Sequence, residues 1–277
     1  MKPARFAYLR PETVDDALTA LAQHHDAARV LAGGQSLVPM LHMRLMQPTA
    51  LIDINRIAEL DRIEISGAGL VVGALARYSR IESSPLVSER LPLLQDVVRY
   101  VGDRQIRNRG TIGGSLAQAD PVGEVPLACL VLDATVVARS VAGTREISIE
   151  DFILGPYTTS LEPEELLVEV RFPEPPAACL FFEVGRRHND FAVLAVAVTG
   201  TREGDAWRGL KVALAGADDH ATLVRLEDSV LDDQAIEAAV ATCLEMIDPP
   251  SDVRASAEYR RHLVGVHLSR LLGELRG

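Results

Sequence analysis

The sequence predicts an α+β chain in three parts: two small α/β units, then a separate block in which strands precede helices. Three observations predict it. Short apolar strands alternate with helix-spaced apolar positions over residues 1–55. A hairpin signal, Ser66-Gly67-Ala68-Gly69, opens a second unit over 56–173. The segment Pro173-Glu174-Pro175-Pro176 reads as a linker, and the final block covers 177–277. At 277 residues, 48% hydrophobic and 24% charged, the chain is long enough for a real core of this kind. A net charge of −11 argues against nucleic acid or an anionic membrane surface as the main partner.

In chain order, Phe6-Ala7-Tyr8 forms a short strand ended by Pro11, and Thr13 caps a helix with Val14, Ala17, Leu18 and Leu21 on one face. His24 and His25 close that helix as surface residues. Arg29-Val30-Leu31 is a strand, Leu37-Val38-Pro39-Met40-Leu41 begins a helix, and Ala50-Leu51-Ile52-Asp53-Ile54 is a buried strand. Arg62-Ile63-Glu64-Ile65 pairs with Leu70-Val71-Val72-Gly73. Helices follow near Tyr78-Ser79-Arg80-Ile81 and over 88–100, the second with Leu91, Leu94, Val97, Val98 and Val101 on one face. Asp120-Pro121 breaks a helix and Glu124 starts an apolar run through Cys129 and Leu132. Strands are expected at Thr135-Val136-Val137-Ala138-Arg139, Arg145-Glu146-Ile147-Ser148-Ile149 and 165–171. Beyond the linker, Leu180-Phe181-Phe182-Glu183-Val184, 191–199 and Leu210-Lys211-Val212-Ala213-Leu214 read as strands. Asp232-Asp233 caps a helix ending near Ile247, and Ser256 opens one reaching Leu272.

Two stretches stand out: Ala32-Gly33-Gly34-Gln35-Ser36-Leu37 and Thr111-Ile112-Gly113-Gly114-Ser115-Leu116. Each reads as strand, tight turn and helix start. Adjacent glycines admit positive φ and let main-chain N–H groups approach a ligand with no Cβ in the way. Ser36 and Ser115 are expected to cap the helices that follow. A helix start carries unpaired N–H groups and partial positive charge, which suits a phosphate. Two such turns suit the two phosphates of a dinucleotide; either one alone is more often an ordinary turn.

Cys129, Cys179 and Cys243 are far apart, in apolar contexts, and match no iron–sulfur or zinc spacing. Buried packing is their expected role. No catalytic triad or G-x-G-x-x-G fingerprint occurs. No stretch approaches the roughly 20 apolar residues of a membrane span, and residues 1–6 carry no apolar signal core, so a cytoplasmic location is expected.

Ala32-Gly33-Gly34-Gln35-Ser36-Leu37-Val38-Pro39-Met40 and Gln105-Ile106-Arg107-Asn108-Arg109-Gly110-Thr111-Ile112-Gly113-Gly114-Ser115-Leu116-Ala117 resemble the two flavin motifs of the FAD-binding medium subunit of the molybdenum hydroxylases. That is the family of carbon monoxide dehydrogenase and xanthine dehydrogenase. Ala119-Asp120-Pro121 with Glu124, Arg186-Arg187-His188-Asn189-Asp190-Phe191-Ala192, and Tyr259-Arg260-Arg261-His262-Leu263 are similar too, in the same order along nearly the whole chain.

The resemblance implies a two-subdomain FAD-binding domain of the PCMH/VAO-like type, followed by a C-terminal α+β domain with an antiparallel sheet. It implies that Leu31, Ala32, Gly33, Gly34, Gln35, Ser36 and Leu37, with Thr111, Ile112, Gly113, Gly114 and Ser115, wrap the FAD diphosphate and ribityl chain. Glu124 would accept hydrogen bonds from the cofactor's polar edge, or else only open its helix. Val101 and Leu167 match positions of apolar contact with FAD, though unaided both read as core. Phe191 falls where the flavin ring is stacked, or faces the core from its strand. Arg187 would support the anionic cofactor, or is simply exposed at a strand end.

The same resemblance assigns no catalytic residue and no metal to this chain, the hard chemistry being the cofactor's. Molybdopterin belongs to a large partner subunit and [2Fe-2S] clusters to a small one, with electrons passing through FAD to NAD⁺, oxygen or another acceptor. Two other readings compete: a stand-alone FAD-dependent oxidase, and a scaffold subunit that has lost the cofactor.

Overall fold

The computed structural model describes residues 2–187 and 189–277; Met1, and His188 of the arginine-rich motif, lie outside the described residues. Three β-sheets follow one another along the chain, with a small hairpin beside the second.

In the first unit β1 (Ala7–Leu9), α1 (Val14–His24), β2 (Ala28–Leu31), α2 (Leu37–Met43) and β3 (Ala50–Asp53) form the expected β-α-β-α-β arrangement. Its sheet is parallel throughout, with β3 between β1 and β2. The Thr13 hydroxyl accepts from the Asp16 N–H and caps α1, whose Val14, Ala17, Leu18 and Leu21 face inward as their spacing requires.

The second unit runs through β4 (Ile63–Ser66), β5 (Gly69–Gly73), α3 (Tyr78–Ser83), α4 (Pro85–Arg90), α5 (Pro92–Val98), α6 (Arg104–Arg107), α7 (Ile112–Gln118) and α8 (Glu124–Val131). It continues with β6 (Thr135–Ser140), β7 (Gly143–Ser148), α9 (Ile149–Phe152), the hairpin β8 (Ile153–Gly155) and β9 (Thr158–Thr159), and β10 (Leu166–Phe172). Its five-stranded sheet has the order β4-β5-β10-β6-β7, all antiparallel. The helix expected over 88–100 is two helices. Pro92 supplies no N–H to continue α4, so it takes the first position of α5 instead.

The third unit is β11 (Ala178–Gly185), β12 (Ala192–Glu203), β13 (Ala206–Ala215), β14 (Thr222–Arg225), α10 (Asp233–Glu245) and α11 (Ala257–Arg276). Its four strands form an antiparallel meander. Asp232 and Ser256 cap the two helices as expected. The edge strand β14 and the β8–β9 hairpin were not among the sequence expectations.

Strand alternation decides how these sheets stack. Leu166 and Val168 of β10 and Val137 of β6 pack on the core of the first unit, whereas Leu167, Val170, Val136 and Ala138 face α7 and α8. On the third sheet Val196, Val198, Val212 and Leu214 pack against α10 and α11. Its opposite face presents Ala195, Ala197, Ala213 and Ala215, all fully buried, to α8. Small side chains there let α8 lie close to the sheet. This helix is therefore buried on all sides, with every residue from Val125 to Val131 in the core. The Thr199 hydroxyl, also on that face, donates to the Val131 carbonyl at 3.3 Å.

Candidate functional site

The two glycine motifs meet where the first unit abuts the second. Gly33 lies so close to the Arg109 carbonyl and the Gly110 Cα that a Cβ would collide with both. The contact is clamped from the side. Asn55 Nδ2 donates to the Ala32 carbonyl at 2.8 Å and the Leu31 carbonyl at 3.3 Å. Arg77 donates to the Asn55 side-chain carbonyl and to the Arg109 carbonyl, and its own backbone bridges to Thr111. Burial, and then the nearby Arg109 charge, pull the Arg77 pKa down. Neither Asn55 nor Arg77 is found from sequence, because neither follows a periodicity or a turn signal.

The first motif is the open loop that its glycines predict. Gly34 has φ +76°, a left-handed conformation that favours glycine. Among the described residues, the N–H groups of Gly33, Gly34, Gln35 and Ser36 donate to no protein acceptor. Gln35 and Ser36 are exposed, and Leu31, Ala32 and Leu37 are half-buried around them. Ser36 corrects the sequence expectation: it occupies the cap position of α2 in a helical conformation, and its hydroxyl makes no cap bond.

The second motif is built differently, and this corrects a second expectation. No strand precedes it, and Gly113 and Gly114 lie within the first turn of α7 rather than in a bend. Its amides are engaged: Ile112 N–H donates to Ala76 at 3.2 Å, Gly113 to Ala74 at 3.0 Å, Gly114 to the Thr111 hydroxyl and Ser115 to the Thr111 carbonyl. Thr111, not Ser115, is the cap. Ile112 is in the core, and a Cβ on Gly113 would meet that of Ala74 at 2.6 Å. Gly114 alone of the pair is exposed. A Cβ there would point toward Ala32 of the first loop, 3.9 Å from its methyl group. What the second motif offers a ligand is clearance rather than amides.

Behind the second motif, the buried Tyr78 hydroxyl feels the Glu124 charge; its pKa is pushed up, chiefly by burial. Glu124 is the first residue of α8, behind Gly123 at the cap position. Desolvation, with Asp120 adding like charge, raises its carboxyl to about 7. Across the seam from the third unit comes Glu183 of β11, raised to about 8 by desolvation and then by Glu124. One of its oxygens, Oε2, is fully enclosed and has no partner among the described residues. Glu183, inside an ordinary strand pattern, gave no sequence signal.

At the rim, Phe191 is 58% exposed rather than directed into the core, and the Arg254 guanidinium lies 4.8 Å from its ring centroid. Arg254 also donates to the Phe191 carbonyl at 3.1 Å and pairs with Asp190 at 3.6 Å. Tyr157, exposed beside them, feels the charges of both Asp120 and Arg254. Arg187 is almost wholly exposed, with Asp190 3.7 Å away. Val101 and Leu167 pack on the core to which Ile112 of the second motif belongs. Leu167 sits in the core under α7 at 4% exposure, and Val101 packs half-buried on the same core just past α5.

Residues 4–175 match the FAD binding domain in molybdopterin dehydrogenase, and residues 180–275 match the CO dehydrogenase flavoprotein C-terminal domain. The chain belongs to the FAD-binding medium subunits of the molybdenum hydroxylases. This medium subunit is 38% identical to the 6-hydroxypseudooxynicotine dehydrogenase complex subunit alpha of Paenarthrobacter nicotinovorans, covering 99% of this chain and 95% of that one. It is 36% identical to the glyceraldehyde dehydrogenase medium chain of Sulfolobus acidocaldarius, covering 96% of each. Its fold superposes on the carbon monoxide dehydrogenase structure from Hydrogenophaga pseudoflava with a TM-score of 0.93 at 35% identity, covering 98% and 96% of the two chains.

The residues of the medium subunit fit FAD. Unengaged N–H groups on the first loop suit a diphosphate, and the exposed Gly114 leaves room beside them. Among the described residues no cluster of His, Cys, Asp and Glu could hold a metal ion, and no helix is long and apolar enough to cross a membrane.

Proposed function

We propose that this medium subunit relays electrons within a hetero-oligomeric molybdenum hydroxylase. Substrate is oxidised with water at the molybdopterin centre of a large partner subunit. Electrons arrive here from the [2Fe-2S] clusters of a small partner and leave for NAD⁺, oxygen or another acceptor. FAD, when bound, supplies the step between one-electron clusters and a two-electron acceptor.

The chain's own contribution is to hold it. The open loop at Gly33, Gly34, Gln35 and Ser36 binds the diphosphate through main-chain N–H groups, with Leu31, Ala32 and Leu37 around it. Thr111 and Ile112 anchor α7, so that Gly113 fits against β5 and Gly114 leaves the ribityl path open. Ser115 and Glu124 face the polar edge, and Phe191 covers the rim with Arg187 nearby. Leu167 and Val101 support the floor from the core side. These parts lie in an FAD-binding domain over 1–55 and 56–173 and a C-terminal domain over 177–277. Three cysteines without disulfides accord with a reducing, cytoplasmic setting.

The observation that carries this reading is the open loop with four unengaged N–H groups beside the exposed Gly114. The relatives are named for a nicotine derivative, an aldehyde and carbon monoxide, yet share this architecture, which accords with substrate recognition on another subunit. Purification of the native complex tests the proposal. One flavin per chain, co-purifying iron and molybdenum, and bleaching of the flavin band under substrate are expected. A colourless complex, or flavin reduced by substrate in the isolated chain, would contradict it.

A further inference from the structure

The first loop sorts its main-chain groups. Its N–H groups from Gly33 to Ser36 meet no protein acceptor among the described residues, while the carbonyls beside them are taken. The Gly34 carbonyl accepts from Val38 N–H at 3.0 Å, that of Ser36 from Met40 N–H at 3.4 Å, and that of Leu31 from Ile54 N–H at 3.2 Å. The Gln35 side chain reaches back to the Gly33 carbonyl at 3.4 Å. The Ala32 carbonyl has one partner among the described residues, Asn55 Nδ2 at 2.8 Å, which also reaches Leu31. A trans peptide sends its carbonyl and its N–H in opposite directions. Holding the Ala32 oxygen toward Asn55 therefore sends the Gly33 N–H away from it.

Asn55 is itself locked. Its side-chain oxygen accepts from Arg77, which can only donate, and Nδ2 faces only acceptors: Leu31, Ala32 and Asp53 Oδ1 at 2.6 Å. The same Asp53 oxygen takes the Asn55 backbone N–H at 3.0 Å, which fixes the residue just past β3. Turning the amide over would set donor against donor and acceptor against acceptor. Arg77 also donates to the Arg109 carbonyl, against which Gly33 lies, so one guanidinium ties Asn55 to both motifs.

Resting on the FAD reading above, we propose that Asn55, held in orientation by Arg77, is a positioning residue for the FAD diphosphate. It draws the Leu31 and Ala32 carbonyls back and keeps the Ala32–Gly33 peptide from turning over. A peptide turned the other way would present a carbonyl oxygen to the diphosphate, replacing a donor by a repelling acceptor. Asn55 and Arg77 act through the main chain of the loop, by raising the fraction of chains in which it is ready to bind.

Titration of the deflavinated full-length chain with FAD and with ADP tests this, followed by flavin fluorescence quenching and by calorimetry. Asn55→Ala should weaken both ligands at least about tenfold, and by the same factor, because the diphosphate is what they share. Arg77→Met should weaken them similarly. Since Arg77 acts through Asn55, the double variant should bind within about twofold of Asn55→Ala alone. A structural role alone would not move the spectroscopic signature: at saturating ADP the Gly33 amide proton should shift downfield in the wild type and not in Asn55→Ala. Wild-type affinity in folded Asn55→Ala overturns the proposal, as do losses that multiply in the double variant or a Gly33 shift equal to that of the wild type. If Asn55→Ala does not fold by circular dichroism, Arg77→Met carries the same test, and wild-type affinity there overturns the proposal equally. A wild type that takes up neither FAD nor ADP overturns the FAD reading, and this proposal with it.

Discussion

Gly33, Gly34, Gly113 and Gly114 share a motif but not a reason for being glycine. Gly33 abuts the Arg109 carbonyl, Gly34 has positive φ, Gly113 lies on Ala74, and Gly114 opens toward Ala32 across the site. Gly33→Ala should therefore cost about 1–3 kcal/mol of unfolding free energy through overpacking. Gly114→Val should change stability by less than about 1 kcal/mol, its gain in helix propensity offsetting the displaced Thr111 cap. It should nevertheless weaken FAD binding at least about tenfold, or about 1.4 kcal/mol. Denaturant unfolding and FAD titration of both variants check this, and the reverse ordering would refute the assignment. The glycine pairs were legible in the sequence, but their division of labour was not. Whether an amide is free depends on what lies opposite, and Ala74 and Ala76 are paired with α7 only by the fold.

At the scale of elements, α8 shows what sequence reading catches and what it misses. Its apolar run from Val125 to Val131 was plain, as were the strands over 191–199 and 210–214, in which alanine alternates with larger residues. That the alanine side of that alternation faces α8, and the valine side faces α10 and α11, is decided by the space each helix needs. Ala197→Leu should push α8 and the third sheet apart, at a cost of about 1–3 kcal/mol. A denaturant midpoint unchanged from wild type would show that the seam is looser than described. The helix over 88–100 failed for a local reason that was readable: Pro92 ends one helix and begins the next. Strand β14 was missed because Thr222–Arg225 is short, at the sheet edge and only partly buried.

For the molecule as a whole, the three sheets stack so that the open loop, α7, the Glu124–Glu183 seam and the Phe191 rim come from all three units. The order of units and the family were legible from motifs spread along the chain. Asn55 and Arg77 were not, since each is placed by a partner distant in sequence: Ala32 and Arg109 respectively. The account turns on the first loop supplying main-chain donors to the diphosphate, and a structure of the FAD complex tests that most directly. Diphosphate oxygens within hydrogen-bonding distance of the N–H groups at Gly33 to Ser36, passing over the Cα of Gly114, are the expected result. A diphosphate seated away from that loop would contradict it.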